Sequence, residues 1–353
     1  MEASVAIVLL CAVAGLWYGC RIAASVFVRS QATDAGVNDG VCWFCDAPLP
    51  RHTGPMTGWL PCGGSRPSAC RDAAGAVAKC RYRRVARSAG MAAVVVASGF
   101  AAAYLLGRCQ EVTEVRPDRL WWWGRLFYHE LLLALLLWAT LTDLRDYTIP
   151  DHITLPGIGV AVALAWASGD LQMIHLWVDW NDPLVKLHGP RIPEWIRAHR
   201  HWHGLAWSVS GAATGAVLIQ ILRWLSRWIL GRTGLGSGDV TLLAMIGAFL
   251  GWQATVVVFL LAPFTALFVG AFCALIGRPT VIPYGPHLAL SAWLVMMGWR
   301  WIWTFEPTPV VSVRRLFGDG PALAILGTVG LATAAVLLLG IRIYRSLPVR
   351  RLR

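Results

Sequence analysis

GRTGLGSGDVTLLAMIGAFLGW, residues 231–252, is the stretch on which the reading of this chain turns. It is rich in glycine, carries one carboxylate at Asp239, and then becomes apolar. A carboxylate at the start of a hydrophobic segment can be a helix cap, part of a phosphate loop, or half of a catalytic pair. Comparable apolar runs recur on either side, at 4–28, 88–107, 126–142, 153–168, 204–230, 254–276, 284–303 and 321–343. About 20 apolar residues cross a bilayer core. The pattern therefore predicts an all-α polytopic membrane protein of about eight to nine transmembrane helices, with a small cysteine-containing cytoplasmic loop. The run 240–252 is too short to span upright and is expected to continue past Gly251.

Composition agrees. Hydrophobic residues make up 57% of the chain and charged residues 14%, against about a quarter charged in soluble domains. The formal charge of +12 would suggest nucleic acid in a soluble protein. In a chain this apolar it points instead to the lipid bilayer, through anionic headgroups and the positive-inside bias. The loop 29–87 and the tail after 341 hold dense Lys/Arg, and nine spans put both on the cytoplasmic side of an inner membrane. The first run has no basic segment before it and is read as a retained anchor. The loop 169–203 is rich in Trp, His and Pro and reads as an interfacial segment.

The acidic residues are the anomaly. Asp143 follows LLLALLLWATLT without a break, and Asp239 precedes VTLLAMIGAFLGW. An ionisable side chain at the margin of a span is costly and points to function. Each alone fits a solvated helix end equally well, and Asp239 suits the first turn of a helix, where the dipole favours it. Together they suggest more. Two carboxylates within reach of one another share a proton, so that one can act as base toward water while the other donates to a scissile carbonyl. Gly234, Gly236 and Gly238 lack Cβ atoms and are expected to let the backbone bend and a helix or substrate approach. A phosphate loop would need Gly-Lys-Ser/Thr; here Asp239 follows Gly238 and would repel a phosphate.

Three blocks in order carry a resemblance: TDLRDYTIPDHITLPG (142–157), GLGSGDVTLLAMIGAFLGWQ (234–253) and IPYGPHLALSAW (282–293). Together they resemble the type IV prepilin peptidases, leader peptidases of the Gly-x-Gly-Asp aspartic class, over roughly residues 126–300. The resemblance implies an endopeptidase that removes the basic leader of pilin-like or pseudopilin-like membrane proteins at the cytoplasmic face. Asp143 and Asp239 match its catalytic aspartates, with Gly236 and Gly238 supporting. Asp146 and Asp151 are rivals for the first role, Asp151 also serving as an N-cap-like residue after Pro150. The chain then divides into an anchor plus cysteine-rich loop (1–87), a membrane-embedded peptidase core (88–303), and an extra span with a basic tail (304–353). Thr241 stands where the family usually has Lys. The N-terminal half also departs from the family pattern, which motivates a second reading as a catalytically inactive scaffold or assembly factor.

Of the nine cysteines, Cys11, Cys20 and Cys273 fall in apolar runs and read as small fillers, with Cys109 just outside one. Cys42, Cys45, Cys62, Cys70 and Cys80 crowd into the basic loop. A reducing cytoplasm favours metal over disulfide, and VCWFCDAPLP has the form of a zinc knuckle. Cys42, Cys45, Cys70 and Cys80 are the expected zinc ligands, with Cys62 and His52 as substitutes. Unpaired thiols are the alternative, because Arg83 occupies the place of the family's last cysteine. Some relatives of this type methylate the new N-terminus with S-adenosylmethionine, which the resemblance adds as a cofactor if the chain is also a methyltransferase.

Overall fold

The computed structural model describes residues 2–32, 38–42, 81–109, 119–172, 194–232, 234–277, 283–308 and 312–346. Each of the nine apolar runs is a helix. They are α1 (Glu2–Phe27), α2 (Arg81–Leu105), α3 (Arg119–Asp146), α4 (Asp151–Ser168), α6 (Arg200–Leu230), α7 (Ser237–Leu250), α8 (Trp252–Leu275), α9 (Gly285–Trp303) and α11 (Gly320–Ser346). Two short helices, α5 (Glu194–Ala198) and α10 (Val313–Gly318), lie in the connections. One feature departs from the all-helical expectation. Strands β1 (Val28–Ala32) and β2 (Asn38–Cys42) form an antiparallel ribbon after α1, with Val28 opposite Cys42.

Among the described residues, six helices are long and apolar enough to cross a bilayer: α1, α2, α3, α6, α8 and α11. This is fewer than the eight to nine expected. Helix α4 opens on Asp151 and His152, α7 has only 14 residues, and α9 carries His287 and Arg300. Nor does α7 run on past Gly251, as its sequence suggested. Gly251 adopts φ +82°, which ends the helix, and α8 begins at Trp252. The indole of Trp207 lies against Gly251 where a Cβ would stand, so the break is both conformational and steric.

Helix α7 is the centre of the molecule. Every residue from Leu242 to Leu250 is buried, and α3, α4, α6, α8 and α9 all touch it. Lipid tails are as apolar as leucine, so helices in a bilayer associate through close backbone packing and hydrogen bonds, with little hydrophobic drive. The α6–α7 seam is built that way. Gly211 of α6 and Gly247 of α7 face each other so closely that a Cβ on either would run into the other's carbonyl. Ser208 donates to the Ala248 carbonyl across the same seam at 2.8 Å. Small residues also pair α1 with α2, where Gly15 and Gly19 pack on Ala93. At the far end, α11 rests on α6 and α10, and the stretch Gly320–Gly340 has no buried residue.

Candidate active site

Helix α3 extends one turn further than its apolar run, to Asp146. Asp143 therefore lies inside the last turn of α3. Asp143 is 4% exposed and Asp239 is 8% exposed. Asp239 is the third residue of α7, after the N-cap Gly236. Its Oδ2 accepts a hydrogen bond from the Gly236 backbone N–H at 2.8 Å. This is the reach-back half of a capping box, and Gly236 has no side chain to supply the other half. The cap reading of Asp239 is thus correct for one oxygen. Asp143 is held in the same manner from a third element: its Oδ2 accepts from the backbone N–H of Gly285, the first residue of α9, at 3.1 Å. Among the described residues, these are the single donors to each carboxylate. The N-termini of α7 and α9 both direct N–H groups at negative charge, the arrangement that helix ends favour.

The two carboxylates share one locality. The charge of Asp239 acts on Asp143 through space. Arg223, near the end of α6, acts electrostatically on Asp239. Asp239 in turn acts on Tyr284, the N-cap of α9. Four helices, α3, α6, α7 and α9, therefore contribute to the site.

What brings them together is Ile149, in the connection between α3 and α4. A Cβ on Gly238 would stand 2.7 Å from the Ile149 Cβ and 2.9 Å from its carbonyl oxygen. A Cβ on Gly285 would stand 2.5 Å from Asp143 Oδ2 and 2.9 Å from Ile149 Cδ1. One isoleucine thus fills the angle between the N-termini of α7 and α9, the two ends that hold Asp239 and Asp143, and glycine is required on both sides of it. The expectation for the glycine block holds for Gly238 and needs correction for the other two. A Cβ at Gly236 would meet nothing closer than 3.5 Å, and at Gly234 nothing closer than 3.8 Å. Neither has a positive φ. Gly236 contributes its N–H to Asp239, and a missing Cβ has no part in that.

The connection is itself constrained. The Tyr147 N–H closes onto the Asp143 carbonyl at 2.9 Å, and Tyr147 has φ +56°, the left-handed conformation that a bulky residue seldom takes. Pro150, in extended conformation, is the N-cap of α4. Asp151 is therefore not the cap expected of it. It occupies the first helical position, and its Oδ1 accepts from Thr241 Oγ1 at 3.3 Å. The Thr241 hydroxyl also lies 3.1 Å from the Gly238 carbonyl, so Thr241 ties the start of α4 to the first turn of α7. Asp146, the other rival, is paired with Arg145, which also reaches the Val26 carbonyl.

The expected zinc ligands Cys45, Cys70 and Cys80, with Cys62 and His52, lie outside the described residues, as does the side chain of Cys42. Among the described residues, no group of three or more His, Cys, Asp or Glu side chains gathers to hold a metal. Cys11 and Cys20 are buried, as fillers should be; Cys273 is half-buried, and Cys109, just outside its apolar run, is buried as well. Sequence reasoning missed Gly285, Ile149, Arg223 and Tyr284 as parts of the site. For Gly285 and Tyr284 the signal was present in the PYGP of the third block.

Comparison with known proteins bears on the same region. Residues 195–271 match the type IV leader peptidase family, a stretch that contains Asp239, Arg223 and the glycine block. The chain is 30% identical over 167 residues to a prepilin leader peptidase/N-methyltransferase of Aeromonas hydrophila, covering 43% of this chain and 58% of that protein. It is 31% identical over 179 residues to the protein of the same name from Aeromonas salmonicida (strain A449), covering 50% of each. A relative of that name from Stutzerimonas stutzeri aligns over 246 residues at 26% identity, covering 69% of this chain and 65% of its own length. The chain thus spans about half the length of the first curated relatives it matches. No solved structure matches it.

Proposed function

We propose that this chain is a membrane aspartic endopeptidase of the leader peptidase type. It cuts the basic leader from a pilin-like membrane protein at the cytoplasmic side of the inner membrane. The observation that carries this reading is the pair Asp143 and Asp239. They are buried carboxylates from two separate helices, each pinned by one glycine N–H and close enough to act on one another. The relatives' shared name supports the substrate class, and the Lys/Arg of the loop 29–87 and the tail supports the side of the membrane.

In such a pair one carboxylate is ionised and its neighbour keeps a proton. The ionised member takes a proton from water as the water oxygen adds to the scissile carbonyl carbon. The protonated member gives its proton to the carbonyl oxygen. The tetrahedral diol then collapses: the C–N bond breaks, the departing amine takes up a proton, and a new carboxyl group is left on the leader. The backbone N–H groups of Gly236 and Gly285 fix one oxygen of each carboxylate and leave the other for water and substrate. The test is cleavage of a membrane-anchored, leader-bearing substrate by purified protein. Asp143→Asn and Asp239→Asn should each lower the rate about 10²–10⁴-fold. Cleavage at the native rate by either variant overturns the assignment.

A further inference from the structure

A groove of about 160 Å³ lies between α1, α2, α3 and α9. On α3 it is lined by Leu133, Leu137 and Thr140, and on α9 by Pro286, Ala289 and Trp293. Positions three and four apart lie on one face of a helix, so both sets are stripes. The α3 stripe continues outward from Thr140 to Asp143. The α9 stripe begins at the residue after Gly285, whose N–H holds Asp143. The outer end of the groove, at Thr140 and Pro286, therefore leads toward the candidate active site. The Trp293 indole N–H, bonded to the Val96 carbonyl at 3.2 Å, fixes the α9 wall to α2.

The inner end is polar. Tyr18 of α1 lines the groove, and its hydroxyl is buried with no hydrogen-bond partner among the described residues. Glu130, three residues inward of Leu133 on the same face of α3, acts electrostatically on Tyr18 and also has a buried oxygen without a partner there. A buried polar group that makes no hydrogen bond costs free energy, so two together mark a place where a ligand's polar group fits. From Glu130 to Asp143 the face of α3 rises about 20 Å at 1.5 Å per residue.

We propose that this groove seats the apolar segment next to the scissile bond of a membrane-anchored substrate, and that Tyr18 and Glu130 receive a polar group of that segment. The inference rests on the peptidase reading, since the continuity of the groove with Asp143 is what identifies its occupant. A lipid tail would match the apolar walls and leave the two polar groups unmet.

The test places a photo-crosslinking benzoylphenylalanine at Leu290, a lining residue that is 37% exposed at the rim of the groove, in full-length Asp143→Asn protein, in bilayers with a leader-bearing membrane-anchored substrate. Position Leu267, exposed on α8, is the control. A crosslink to substrate at 290 and none at 267 is the expected result. Crosslinks from 290 to lipid alone overturn the proposal. In the native background, Ala289→Trp fills the groove and should lower kcat/KM about tenfold, as expected for one apolar side chain's worth of lost burial, while Leu267→Trp leaves it unchanged. A native rate for folded Ala289→Trp also overturns it. Should Ala289→Trp not fold, Tyr18→Phe serves, with a severalfold rise in KM expected and an unchanged KM counting against the polar end. The crosslink does not depend on cleavage. A native chain that fails to cut would therefore sink the peptidase reading while the groove is still judged on its own result.

Discussion

Helices α7 and α11 are both apolar and both contain glycine, yet they stand in opposite relations to their surroundings. In α7 every residue from Leu242 on is buried, and Gly247 faces a neighbouring backbone. In α11 the stretch Gly320–Gly340 has a mean hydropathy of 2.4 and no buried residue, and a Cβ on Gly320, Gly327, Gly330 or Gly340 would meet nothing within 4 Å. In water such a difference could not persist, because an exposed apolar helix would be driven inward. In a bilayer apolarity decides only that a helix stays in the membrane. Which helix becomes the centre depends on where small residues permit contact between backbones and where a polar group must be held. Helix α7 has both, and α11 has neither.

The sharpest way to break this contrast is to load the site end of the central bundle and the lipid end equally. Gly285→Ala would drive a methyl into Asp143 and Ile149, and displacing a reacting group by about 1 Å can cost about a hundredfold in rate. Gly330→Ala on α11 should leave the cleavage rate unchanged. A native rate for Gly285→Ala would show that the Asp143 environment is not rigid. Next is packing. Gly247→Leu should destabilise the fold by about 3 kcal/mol through overpacking, read as a lowered midpoint in thermal unfolding in micelles. Gly327→Leu should stay within about 0.5 kcal/mol of the native chain. Equal effects at the two glycines would erase the distinction between the helices. Thr241→Val removes the hydroxyl that joins Asp151 to α7 and should cost about 1 kcal/mol, with at most a small change in rate; a loss on the scale of the aspartate variants would make Thr241 part of the chemistry. Smallest is Tyr147→Gly, which relieves a left-handed backbone at an exposed residue and should raise stability by about 1 kcal/mol. No gain would mean that the tyrosine side chain compensates for its backbone.

The nine helices could be read from hydropathy, and the two aspartates stood out as a pair, since either one alone fits a helix end while two at span margins suggest a shared proton. The glycine block was legible as a place of close approach, but its three residues could not be told apart. Only Gly238 meets a neighbour, and that neighbour, Ile149, lies 89 positions earlier in the sequence. The grip on Asp143 was hidden for a different reason: its donor is a backbone N–H, which every residue but proline possesses. The residue type of Gly285 signals only that space is short there. The end of α7 was misplaced because Gly251 looks like the small residues within the helix, and only the packing of Trp207 against it reveals a break. Apolar content alone did not separate the six described helices that are long and apolar enough to cross a bilayer from a short buried one such as α7.

The central claim is that Asp143 and Asp239 act as one acid–base unit, and a double-mutant comparison measures that most directly. Cleavage of a membrane-anchored, leader-bearing substrate would be followed for Asp143→Asn, Asp239→Asn and the double variant, each verified as folded by its unfolding midpoint. A shared-proton pair predicts a loss of about 10²–10⁴-fold for each single change and no further loss when they are combined, since residues that act as a unit are not additive. Losses that multiply in the double variant, or a single variant that cuts at the native rate, would contradict it.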